Sequence, residues 1–188
     1  MKSYLQETSI INFTHPQVAQ LAQKLAEEYA TDIEIAKACF IYVRDEIAHT
    51  GDAKSPIPTC KASEVLEYKT GWCYAKSHLL AALLRANNIP TGFCYQRLFC
   101  DEYKKDSYCL HGLNAIHLKD FGWYKVDARG NKEGVDAQFL PPNEQLAFEL
   151  IEGESDLDEI YSEPLEVVVK ALSQNFDLMI HNFPDICS

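Results

Sequence analysis

The sequence predicts an α+β fold in which helices come first, an antiparallel sheet follows, and a helical tail closes the chain. Three observations carry this. Apolar residues recur at helical spacing through most of the first ninety positions. At Pro90 the period changes, and Thr91 to Phe99 is rich in β-branched and aromatic residues. The two strand-like runs that follow, about Cys109 to Lys119 and Trp123 to Ala128, are joined by the short turn Asp120-Phe121-Gly122, which makes them antiparallel neighbours. The expected architecture has N-terminal helices and a cysteine-bearing helix packed on one side of that sheet.

In chain order, the first dozen residues are read as extended or irregular. Thr14-His15-Pro16-Gln17 reads as a helix start, with a hydroxyl cap, an early proline and Gln at the capping-box position. Val18, Leu21, Ala22, Leu25, Ala26 and Tyr29 follow on one stripe. Thr31-Asp32-Ile33-Glu34 repeats the capping pattern and opens a second helix, with Ile35, Cys39, Tyr42, Val43 and Ile47 facing inward. Gly51, Pro56 and Pro58 make Ala48 to Lys61 a loop, and a short helix spans about Ser63 to Tyr68. Thr70-Gly71-Trp72-Cys73 is a turn running straight into a helix, with Gly71 expected to adopt backbone angles that other residues avoid. Leu79 to Leu84 is apolar on every face, so this helix is expected to be buried on most sides, and Asn87-Asn88-Ile89-Pro90 ends it.

Beyond Phe99, Asp101 to Ser107 reads as a solvated loop tip, and Arg129 to Gly134 as a turn-rich exit from the sheet. Pro141-Pro142 precedes a candidate strand from Gln145 to Ile151. Glu152 to Glu159 is acidic and expected to face solvent, without the alternating carboxylates and internal glycine of a calcium loop. Pro164 starts a last helix carrying Leu165, Val168, Val169 and Leu172.

The 188 residues are expected to form a single domain, 1–188, with its core at about 63–130. The net charge of −11 argues against nucleic acid and against anionic membranes as partners. No run of about 18 apolar residues occurs, and Met1 to Glu7 lacks a signal-peptide core, so a cytoplasmic location is expected. The seven cysteines are irregularly spaced, which speaks against a disulfide framework. No pair has the two-residue gap of a zinc knuckle, so no metal and no cofactor is expected.

Chemistry concentrates at Cys73. The free N–H groups and the positive dipole end of a helix both act on its first turn. A thiol so placed is favoured as thiolate and is the better nucleophile. The competing reading is a plain core cysteine, the commoner fate of an intracellular thiol. A nucleophile needs a base, and the base needs an orienting group. His78 lies five residues along the same helix, about 140° round from Cys73, and cannot reach it. His15, His49 and His181 fall in turns or the tail and are expected to be exposed. His111 and His117 share one strand face with Leu113 and Ala115. If the hairpin pivots at Lys119 or Asp120, Asp127 lies opposite or diagonal to His111, whereas His117 sits near the tip across from Phe121 or Trp123. An odd register would break the His111–Asp127 pairing, and sequence alone does not fix the register.

Gly71-Trp72-Cys73 at a helix start, His111 on a strand and Gly122-Trp123-Tyr124-Lys125-Val126-Asp127 on the next resemble the transglutaminase-like superfamily. Tyr74 to His78 and His111 to Ala115 are similar to small, single-domain bacterial members of that family. The resemblance implies a papain-like core with Cys73, His111 and Asp127 as catalytic triad. It departs from many members at Leu113, where an aromatic is common, and at Ala128-Arg129-Gly130. Accessory β-sandwich domains and a calcium site, which accompany animal protein crosslinking, have no counterpart here.

The chemistry implied is acyl transfer or hydrolysis at an amide or peptide bond through a thioester, on a peptide, protein or small amide substrate. Oxyanion donors are the N–H groups of the cysteine helix, with Gln96 a candidate for a second. Trp72 and Tyr74 are cleft candidates, or ordinary packing. Arg97 and Arg129 either bind a substrate carboxylate or pair with acidic neighbours. Two alternatives stay open at this stage. One is a silent binding module on the same fold; the other is a thiol redox or metal protein built on Cys94, Cys100 and Cys109.

Overall fold

A computed structural model describes residues 1–100, 107–174 and 183–185. The loop tip read at Asp101 to Asp106, His181 and Cys187 fall outside the described residues. After a short 3-10 turn at Lys2–Leu5, the elements are α1 (Pro16–Ala26), α2 (Asp32–Glu46), β1 (Ala48–His49), α3 (Thr50–Ala53), α4 (Ala62–Tyr68), β2 (Thr70–Gly71) and α5 (Cys73–Ala86). Then come β3 (Thr91–Phe99), β4 (Tyr108–Leu118), β5 (Gly122–Val126), β6 (Gln138–Leu140), β7 (Asn143–Gln145), β8 (Ser155–Asp156) and α6 (Glu166–Leu172). The main sheet has the order β5-β4-β3-β8 and is antiparallel throughout. Helix α5 lies on one face of it, with α1, α2 and α4 packed around α5.

Helix α5 is buried from Cys73 to Arg85. Its polar members find partners inside the protein, except at His78 Nε2, which has none among the described residues. Arg85 donates to the carbonyls of Thr91, Gln6 and Ser162. His78 Nδ1 lies 2.7 Å from the Cys60 carbonyl, and burial pulls its pKa down to about 4, so the ring packs neutral against Phe93. Asn88 takes the left-handed position after the helix, with φ of 59°, and ends it as the sequence suggests. Thr31 and Glu34 form the reciprocal capping box expected for α2.

Several local expectations differ. Thr14 does not cap α1; its hydroxyl donates to Glu7 at 2.6 Å, and His15 occupies the N-cap position without a side-chain bond. Gly71 does not use a positive φ. It is needed for space, because a Cβ there would meet Ala75 Cβ at 3.2 Å and the Lys76 nitrogen at 3.4 Å. Within the Ala48–Lys61 loop, β1 pairs in parallel with β2, and α3 follows. The strand placed at Gln145 to Ile151 is instead β7, which forms a hairpin with β6 around Pro141-Pro142. Beyond it the backbone turns to other partners, with Ala147 N–H donating to Asp127. The acidic stretch is not simply solvated, since β8 joins the edge of β3 and Glu154 accepts from the N–H groups of Phe99 and Ile151.

The strand pairing positions everything that follows. Register sums are constant along β4 and β5, from Asn114↔Val126 to Leu118↔Gly122, so the hairpin pivots about Asp120. Strand β5 stops at Val126, and the stretch of β4 before Asn114 has no strand on that side among the described residues. Alternate N–H groups of β4 point to opposite edges. Those of Leu110 and Gly112 point away from β3, to the Pro184 carbonyl at 2.8 Å and to Cys73 Sγ at 3.4 Å. Gly112 also lets the strand meet the first turn of α5, for a Cβ there would lie 2.7 Å from Tyr74 Cδ1 and 3.1 Å from Tyr74 Cα. Because the opposing atoms include backbone, Gly112→Ala should destabilise the fold by about 1–3 kcal/mol, read as a lowered urea midpoint at unchanged slope.

Candidate active site

Cys73 is the first residue of α5 and is 7% exposed. His111 is on β4 and Asp127 directly follows β5. In the observed register Asp127 falls opposite Leu113, diagonal to His111 and on the same sheet face. His111 Nε2 lies 2.6 Å from Asp127 Oδ2. With Nε2 committed to the carboxylate, the remaining ring nitrogen is left for the thiol, and Cys73 and His111 line one cavity. The structure thus brings the three residues together in the order Cys73, His111, Asp127. His117 stands apart, opposite Trp123 and edge-on to its ring.

Asp127 is wholly buried, and each of its oxygens is engaged. Oδ1 accepts from the N–H of Arg129 at 3.0 Å, and Oδ2 from that of Ala147 at 3.2 Å as well as from His111. Burial opposes its charge, but the His111 charge and these hydrogen bonds outweigh burial and lower its pKa. For His111, burial again opposes the charge, and the charges of Asp127 and Cys73 overcome it, raising the imidazole pKa to about 10. Phe148 packs edge-on against the His111 ring at 4.9 Å.

Beneath this group lies Lys76, fully buried on α5, with Nζ donating to the carbonyls of Arg44 and Ile47. Burial draws its pKa down to about 7, with Asp127 pulling the other way. Arg129 forks onto Asp52 at 2.7 and 3.1 Å, and Lys132 joins the same carboxylate. Arg97 pairs with Asp185. Both arginines raised as substrate ligands are thus already paired with acidic residues.

A cavity of about 320 Å³ opens beside Cys73. Trp72, Tyr74 and His111 line it, together with Leu98, Phe148 and Phe183. Trp72 and Tyr74 are therefore both cavity wall and packing, and the Tyr74 hydroxyl donates to the Leu110 carbonyl. Gln96 stands directly across from His111 on β3 and is buried, but it does not line this cavity. Its Oε1 has no hydrogen-bond partner among the described residues.

His49, read as exposed, is a correction. Its side chain is 8% exposed, it lines the cavity, and its ring meets Trp72 edge-on at 5.3 Å. Burial and then Arg129 hold its pKa well below the ordinary value, so its 3.5 Å approach to Asp52 is not an ion pair. The two-residue pairing of β1 with β2 puts it there. Cys100 and Cys109 meet at the cavity, where the hydrogen bond from Cys100 and burial raise the Cys109 pKa. Cys94 lies six residues down the strand from Cys100, a span of about 20 Å, and packs with Leu113 and Ala115. The three thiols therefore do not form one cluster.

Fold and grouping define a papain-like α+β protein with a helix-borne cysteine. The profile of the transglutaminase-like superfamily matches residues 19–128, and the chain belongs to that superfamily. None of the curated proteins matches it in sequence. Among solved structures, a protein of Cytophaga hutchinsonii described as a candidate cysteine protease is similar with a TM-score of 0.54 and 18% identity, over 67% of this chain and 40% of its own. The periplasmic domain of TgpA from Pseudomonas aeruginosa gives 0.48 at 20% identity, over 66% and 45%. Red sea bream transglutaminase gives 0.48 at 12%, over 68% and 32%. The chain spans less than half the length of each of these structures. At such identities the first likeness bears on fold alone. No helix among the described residues is long and apolar enough to cross a membrane.

The charge balance at His111 is measurable. The stability it draws from its carboxylate is fully present below its ordinary pKa of 6.5 and is lost as pH climbs through about 10. In NMR titrations the His111 ring signals should move near that upper value. In Asp127→Asn they should titrate about one to three pH units lower.

Proposed function

We propose that the protein is a cysteine-nucleophile hydrolase or acyltransferase acting on an amide or peptide bond, with Cys73, His111 and Asp127 as its triad. The observation that carries this reading is that Cys73 and His111 share one cavity wall, with His111 held by the fully hydrogen-bonded Asp127. On this reading His111 takes the proton of the Cys73 thiol, and Asp127 fixes the tautomer and stabilises the imidazolium. The thiolate attacks the carbonyl carbon. The first N–H groups of α5, which have no carbonyl one turn back, face the oxyanion that forms. Collapse breaks the C–N bond, the departing amine takes the proton from His111, and a thioester remains on Cys73. Water or a second amine then gives its proton to His111 and attacks the thioester, releasing acid or new amide and restoring the thiol.

Gln96 belongs to this scheme only if it approaches the cavity, since it stands across from His111 on β3 and is not part of the wall. The apolar lining suits a peptide, protein or small amide whose reacting group sits beside an uncharged side chain. The superfamily match over residues 19–128, which spans all three triad positions, supports the reading as well.

Brief iodoacetamide treatment at pH 7 followed by peptide mass spectrometry tests the assignment. Cys73 should label faster than the other thiols. His111→Ala should abolish that preference, His117→Ala should leave it nearly intact, and Asp127→Asn should lower turnover of any substrate found by about 10²–10⁴-fold with the fold retained. Uniform labelling of all accessible cysteines would favour a silent binding module instead.

A further inference from the structure

The stretch of β4 left bare by β5 is not empty. Leu110 and Gly112 present their N–H groups along this edge, two residues and about 6.6 Å apart. Gly112 points at Cys73 Sγ, and Leu110 donates to the carbonyl of Pro184. The residues flanking Pro184 are seated just as specifically. The Phe183 ring meets Trp72 edge-on, with centroids 5.1 Å apart, and lines the cavity that also holds Cys73 and His111. Asp185 forks onto Arg97 with two contacts of 2.8 Å, and the Arg97 guanidinium in turn lies 3.7 Å over the Tyr108 ring. Three consecutive residues thus use three different seats: a ring, a main-chain donor and a guanidinium.

From these contacts we infer that the open edge of β4 is a peptide-binding subsite beside the nucleophile, and that residues 183–185 of this chain occupy it as a stand-in ligand. An exposed strand edge binds extended peptide through its main chain, while side-chain pockets supply selectivity. Here the selectivity is for an aromatic or large apolar residue against Trp72, any residue whose carbonyl meets Leu110, and a carboxylate on Arg97. Each of these contacts is of a kind that exchanges readily: a main-chain hydrogen bond, a ring edge and a partly exposed ion pair. While seated, the segment covers the approach to Cys73. A substrate peptide with the same apolar–any–acidic pattern would displace it. This deepens the acyl-transfer reading, and rests on that reading only in treating the peptide as substrate.

The test measures binding and chemistry separately. In full-length Cys73→Ala protein, the segment is weakened by Phe183→Ala with Asp185→Ala. The probe is a fluorescein-labelled peptide, Asn-Phe-Pro-Asp-Ile, whose sequence is that of residues 182–186. By fluorescence anisotropy it should bind the weakened protein at least tenfold more tightly than Cys73→Ala alone, because the internal competitor is gone. A probe with Lys in place of Asp should lose that binding, and Arg97→Asp in the same protein should reverse the preference between the two probes. In protein that retains Cys73, Phe183→Ala should speed iodoacetamide labelling of that residue several-fold, and excess unlabelled peptide should slow it again. Equal binding to weakened and unweakened protein, or binding indifferent to the Arg97 charge, would overturn the subsite. Peptide binding without preferential labelling of Cys73 would instead leave the subsite standing and overturn the nucleophile.

Discussion

The candidate site depends on one constraint, the early end of β5. His111 and Asp127 sit on one face of the sheet, while α5, with Cys73 at its start, packs on the other. A continuous strand beside β4 would separate them. Because β5 pairs only as far back as Asn114, the edge at Gly112 is bare. The sulfur of Cys73 reaches this gap from the helix side, and the His111 ring reaches it from the other. The missing Cβ of Gly112 is what allows the first turn of α5 to come close enough, with Tyr74 against the strand backbone. Helix start, strand edge and histidine therefore form one arrangement, and none could move alone.

Burial sets the electrostatics of that arrangement. Asp127, His111 and Lys76 are all shielded from water, so their charges are compensated locally or suppressed. Asp127 keeps its charge because two backbone N–H groups and an imidazole converge on it. Lys76 has carbonyl acceptors but no directly paired carboxylate among its hydrogen bonds, and its pKa falls to about 7. The two backbone donors to Asp127 come from segments after β5 with no regular structure of their own. Irregular chain around Arg129 and Ala147 thus has a definite task, holding the carboxylate that holds the histidine.

Much of this was legible in the sequence because local rules suffice for it. The switch of period at Pro90 located β3, and the even spacing across Asp120 placed Asp127 on the face of His111. The angle round α5 separated His78 from Cys73, and His78 indeed turns to the Cys60 carbonyl. What was not legible depends on contacts distant in sequence. His49 reaches the cavity through a parallel bridge too short to leave a pattern. Thr14 looked like a cap, but a glutamate seven residues earlier competes for its hydroxyl and wins. The two residues of β8 read as acidic loop because their strand character comes from the edge of β3 rather than from their own side chains. Gln96 was correctly placed on a strand, directly across from His111, but whether its side chain enters the cavity wall depends on packing that a strand assignment does not reveal.

The bare edge carries a cost that the rest of the chain must manage. Unpaired strand donors invite pairing with any extended peptide, which is a hazard in most proteins. Here one donor is taken by the thiol and the next by Pro184. A helix cannot present a main-chain acceptor to Leu110 except from its C-terminal turn, where the last carbonyls are free. An extended segment can, and the same geometry that lets residues 183–185 lie there would admit another peptide in their place. The feature that opens Cys73 to His111 is therefore also the one that would make room for a ligand, and both follow from a strand that stops one residue before Asp127.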